Sequence, residues 1–147
     1  MADAQTIANA LRLARGCVED ARTLAATGSR NAAYLCEQAP ERLIRAVATS
    51  EGLHIERQDA HQLDKVVRRF PASNVEKAAL LSLTWLEAYA TTFRYTLPSG
   101  GIPKSPDPAR LDAAIMSIQD MIHRVSARFE VDLEKLNSPA GTTAPLR

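Results

Sequence analysis

Apolar residues in this chain recur about every 3.6 positions over long stretches, and the two-residue alternation of a strand is scarce. A chain with that period buries its apolar surface by laying helix against helix. Ile7, Leu11, Ala14, Val18, Ala21 and Leu24 mark one face of a helix over about residues 4–27, and Gly28 is placed to end it. Ala32, Cys36, Ala39, Leu43 and Val47 mark a second over about residues 30–50, followed by Gly52. Pro40 lies inside it and removes one backbone bond, so it either kinks the helix or sits where a kink is wanted. Leu63, Val66, Val67 and Phe70 give a short third helix over about residues 60–70, ended by Pro71. The stretch NVEKAALLSLTWLEAYATTF predicts a fourth helix over about residues 74–93, capped by Asn74 or Ser73. Its Leu residues, Trp85 and Tyr89 are spread nearly all round, as in the central and most buried helix of a bundle. Leu111, Ile115, Ile118, Ile122, Val125 and Phe129 give a fifth over about residues 107–129. The expected fold class is all-α: an up-and-down bundle of four long helices plus one short helix.

Between the last two helices the text changes to FRYTLPSGGIPKSPD, too rich in proline to stay helical. After residue 130 the chain ends in NSPAGTTAPLR, which has the composition of a disordered tail. One helical domain over residues 1–130 and a disordered tail over 131–147 are therefore expected, without repeat or linker.

The 147 residues suffice for one core, and with 46% apolar and 24% charged residues the composition is that of a soluble globular protein. A net charge of +1 gives no general attraction to nucleic acid or anionic membrane, so any such binding has to come from a local patch. Cys17 and Cys36 fall within helical apolar patterns and read as reduced core thiols. No His joins them at metal-ligand spacing, and neither a metal site nor a cofactor is expected. The N-terminus lacks the pattern of a signal peptide, and no stretch approaches the roughly 20 apolar residues of a membrane span. A cytoplasmic location is expected.

Glu37 and Glu41 are four residues apart, as are Glu41 and Arg45, so Gln38, Glu41, Arg42 and Arg45 form a polar stripe on the second helix. By spacing alone such a stripe is a solvated, ion-paired surface. The order Ala33–Tyr34, Gln38–Ala39–x–Glu41, Arg45–Ala46 and then His61–x–Leu63 resembles the HEPN domain family of small helical bundles, often encoded beside nucleotidyltransferases. The segment Tyr89 to Arg94–Tyr95 is similar to the aromatic–Arg–Tyr end of that family's fourth helix, and the resemblance spans about residues 8–130.

Many members of that family are metal-independent ribonucleases, often toxins, carrying an Arg with a His four to six residues after it. Arg94 would take the place of that Arg, holding a phosphate and developing negative charge while the His moves a proton. Here Pro98, Ser99 and Gly100 stand where the His belongs. His54, in a loop, and His123, in mid-helix, have no catalytic partner in the sequence. The resemblance thus implies a domain that binds a nucleotide or RNA without cleaving it, as a homodimer and as the partner of a nucleotidyltransferase. Arg94, Arg45 and His61 would meet phosphate, Tyr34 and Tyr95 would stack, and Gln38 and Glu41 would line the same cleft. Each has a plainer reading: core packing for Tyr34 and Tyr95, a helix cap or satisfied buried residue for His61, and a helix C-terminal cation for Arg94. The alternatives in function are a degenerate ribonuclease, for which Arg94 is the one weak catalytic candidate, and a pure protein-interaction module.

Overall fold

The computed structural model describes residues 2–147. The all-α class holds. Five α-helices follow in order: α1 (Ala2–Ala26), α2 (Asn31–Ser50), α3 (Leu63–Arg68), α4 (Lys77–Leu81) and α5 (Pro108–Arg128). Among the described residues no helix is long and apolar enough to cross a membrane. Ile7, Leu11, Leu43, Leu80, Ile118 and Phe129, fully or almost fully buried, stand in one core to which all the segments contribute.

α1 ends where Gly28 adopts φ +74°, and the amide of Ser29 reaches back to the Leu24 carbonyl. That turn lets α2 fold back along α1, the most extensive helix pairing in the molecule. Thirteen of the twenty residues of α2 are buried, against nine of twenty-five in α1, so α2 is the central helix. Sequence pattern assigned that position to residues 74–93, where Trp85 and Tyr89 are only partly covered.

That fourth segment is not one α-helix. Beyond α4 it tightens into 3-10 turns over Thr84–Tyr89 and Thr92–Arg94. Ser82 and Thr84 donate their hydroxyls to the carbonyls three residues back, Ala79 at 2.6 Å and Leu81 at 2.9 Å, an interaction that competes with regular α-helical bonding. Asn74 is not the cap of α4; its side-chain oxygen accepts the Glu76 amide at 2.9 Å, two residues on and short of the helix.

α2 runs unbroken through Pro40, which leaves the Cys36 carbonyl without its helical donor. Pro40→Ala restores that donor but gives up packed ring atoms. The two effects oppose each other, and urea denaturation should show a change of about 1 kcal/mol or less. A gain of several kcal/mol would mean that the proline holds strain.

The C-terminal segment is ordered, contrary to the expectation from its composition. The Ala140 amide donates to the Ala4 carbonyl at 3.0 Å, Leu146 is 2% exposed, and Arg147 forms a two-pronged pair with Glu51, both contacts at 2.8 Å. Gly141 permits this path, since a Cβ there would lie 2.7 Å from the Glu130 Cβ.

Candidate functional site

Tyr34, Gln38, Glu41 and Arg45 are spaced by four, three and four residues, which puts them in one stripe along α2. The stripe is not the solvated surface that spacing alone suggests. Gln38 is 8% exposed, and Glu37 beside it is fully buried.

At the N-terminal end of the stripe, the Arg94 guanidinium lies 4.4 Å from the centre of the Tyr34 ring and 5.8 Å from that of Tyr95. Arg94 is exposed and makes no hydrogen bond or ion pair through its side chain among the described residues, so its donors are free for a ligand. Its position is set from below. Phe93 is buried, with the Arg30 guanidinium 4.1 Å from its ring centre, and Arg30 donates to the Phe93 carbonyl at 3.1 Å and the Pro103 carbonyl at 3.0 Å. Arg30 thus fastens both ends of the turn that carries Arg94. Sequence reasoning missed it, because nothing in the text links Arg30 to a loop more than sixty residues away. Tyr95 is 65% exposed, which excludes core packing for it, whereas Tyr34 is half-covered beneath Arg94.

Near the middle, His61 Nδ1 lies 2.7 Å from Glu41 Oε2. His61 is neither a helix cap nor a buried residue; it is half-exposed and reaches Glu41 from the turn before α3. Gln38 Nε2 donates to Glu37 Oε1 at 2.8 Å and to Glu41 Oε2 at 3.2 Å, and Arg42 donates to the Gln38 side-chain oxygen at 2.9 Å. Burial pushes the Glu37 carboxyl up to about 10, helped by its contact with Glu41 and opposed by the Gln38 hydrogen bond and the Arg42 charge. Glu37 is the second residue missed as a candidate. Its spacing from Glu41 was legible, but its burial was not. The same burial pushes the Cys36 thiol up to about 12, and Cys17 is raised for the same reason, so neither is a reactive thiolate at neutral pH.

At the far end Arg45 is exposed and makes no side-chain hydrogen bond among the described residues. With Arg42 it borders an open groove of about 480 Å³ against the Gln5, Asn9 and Leu13 side of α1. A partly open pocket of about 140 Å³ lies beside Arg30 and Pro106, and none of Arg94, Tyr34, Glu41 or His61 lines it. His54 pairs with Glu56 at 3.7 Å on the surface, and His123 is exposed on α5, so neither joins the stripe.

The chain matches no family model, no curated protein and no solved structure.

Proposed function

We propose that this HEPN-like bundle binds single-stranded RNA across the exposed residues that border the α2 stripe, Arg94, Tyr95, His61 and Arg45. The observation that carries this reading is the Arg94 guanidinium held over the Tyr34 ring with its donors free. Such an arrangement offers a phosphate contact beside an aromatic surface, the pairing used for single-stranded nucleic acid. Arg45 lies eleven residues further along α2 than Tyr34, about 16 Å at the helical rise. Cations so far apart suit separated phosphates of one strand better than the phosphates of one nucleotide. Between them the half-exposed outer face of His61 offers a hydrogen-bonding edge to a base. The homodimer and the nucleotidyltransferase partner rest on the sequence resemblance alone.

Fluorescence anisotropy with labelled single-stranded RNA tests this reading. Wild type should bind with salt-dependent affinity, and Arg94→Ala should weaken binding while lowering the magnitude of the log–log salt slope by about 0.7, one phosphate's worth. Millimolar mononucleotide should compete poorly. Equal binding by wild type and Arg94→Ala, or no binding by either, would discard the proposal.

A second reading is favoured by one contact. With Nδ1–H donated to Glu41, His61 presents Nε2 as a proton acceptor, so a His–carboxylate pair stands where the turn before α3 meets the helix that carries Tyr34. A degenerate ribonuclease would use it in place of the missing His. Denaturing gels of the same RNA would then show metal-free cleavage that is lost in His61→Ala.

A further inference from the structure

Glu37, Glu41 and His61 bring two carboxylates and an imidazole together where α2 meets the turn before α3, one atom from each lying within 4.8 Å of the others. Glu37 is fully buried, and its Oε2 has no hydrogen-bond partner. Its Oε1 is fixed by Gln38 Nε2, which also reaches Glu41 Oε2, so one amide orients both carboxylates. The Arg42 guanidinium does not neutralise them through a hydrogen bond. It donates to the backbone and side-chain oxygens of Gln38, at 3.0 and 2.9 Å. Two mostly buried carboxylates therefore face a half-exposed imidazole, with one oxygen unsatisfied. Leaving a carboxylate oxygen in that condition is costly unless a cation or a proton meets it.

We propose that Glu37, Glu41 and His61 bind a divalent transition-metal cation of the Zn2+ or Mn2+ type. Two carboxylates and one imidazole are a ligand set that such ions accept, whereas Ca2+ prefers six or more oxygens. Metal–ligand bonds of about 2.0–2.2 Å place ligand atoms roughly 3–4 Å apart, close to the spacing already present. Half-exposed His61 has the freedom to supply the remaining adjustment, while Gln38 holds the carboxylates from the second layer. Three protein ligands leave a coordination position open to water or to an incoming ligand. The site uses neither Arg94 nor Tyr34 and does not depend on the RNA-binding reading.

The test uses the full chain, stripped with EDTA and titrated with ZnCl2 and MnCl2 by calorimetry, with thermal melts of each variant with and without the ion. Wild type should bind one ion per chain and melt higher in its presence. Glu37→Gln and His61→Ala should each lose affinity about tenfold or more, His61→Ala being the safer variant because the side chain is half-exposed. Arg94→Ala and Cys17→Ser should bind the ion as wild type does. No heat and no change in melting with either ion would overturn the proposal. So would binding that survives His61→Ala and disappears in Cys17→Ser, which would put the ion on the thiol. Because RNA is absent from these titrations, their outcome and that of the anisotropy experiment are decided separately.

Discussion

Glu37→Gln should stabilise the protein at neutral pH, and the gain should grow as pH rises. Without a bound dication the folded protein holds this carboxyl protonated well above its ordinary range, chiefly because the side chain is fully buried and next to Glu41. In the unfolded chain it ionises near 4.5. Between those two values the unfolded state binds fewer protons than the folded one, so stability falls as pH rises. The contribution of Glu37 is complete below about pH 4.5 and is lost progressively as pH climbs toward about 10, at up to about 1.4 kcal/mol per unit. At pH 7 the accumulated loss is about 3 kcal/mol, from roughly 2.5 units above the unfolded value. Glutamine keeps the shape, donates an N–H toward Glu41 and has no charge to neutralise. Urea denaturation of both proteins between about pH 5 and 8, with EDTA present so that no dication competes with the proton, isolates the effect as a difference. A difference that stays constant across that range would show that Glu37 is ionised in the folded protein.

The residues that set these effects differ in how far the sequence discloses them. α1, α2 and α5 are legible because their apolar positions repeat at the helical period and each contributes a buried face to one core. The break in the fourth segment is not legible from periodicity, since it arises where the Ser82 and Thr84 hydroxyls bond back to the main chain. The same division runs through the candidate site. Spacing alone puts Tyr34, Gln38, Glu41 and Arg45 on one face. It says nothing of how deeply that face is covered, which depends on the turn that brings His61 to Glu41 across twenty residues of chain. Arg94 over Tyr34 depends likewise on Arg30 and Phe93, a long-range clamp without a sequence signature. Local order is written in the text; the pairing of distant polar groups is settled by packing.

Arg12→Ala should cost about 2–4 kcal/mol and release the C-terminal segment, because one buried guanidinium holds that segment down. Arg12 is 7% exposed, within an otherwise apolar stretch of α1. Its Nη1 donates to the Ser138 carbonyl and to Asn9 Oδ1, both at 2.8 Å, and its Nη2 donates to the Asp132 carbonyl at 2.6 Å. Hydrogen bonds from a charged donor contribute about 1.5–3 kcal/mol each, and removing the donor also strands two main-chain carbonyls. Neighbouring Arg15 adds Glu134 at 2.6 Å and the Leu133 carbonyl at 2.9 Å, but from a more exposed position. A Gly/Pro-containing tail is thus ordered by main-chain carbonyls, which every sequence possesses, meeting an arginine whose position gives the only hint. Arg12→Met separates the bonds from the bulk: it keeps apolar volume against α1 and should still free the tail. Hydrogen exchange of residues 138–147 is the decisive readout, protection falling in both variants while α2 stays protected. Unchanged tail protection in Arg12→Ala would mean that Leu146, buried on its own account, and the Arg147–Glu51 pair suffice to hold it.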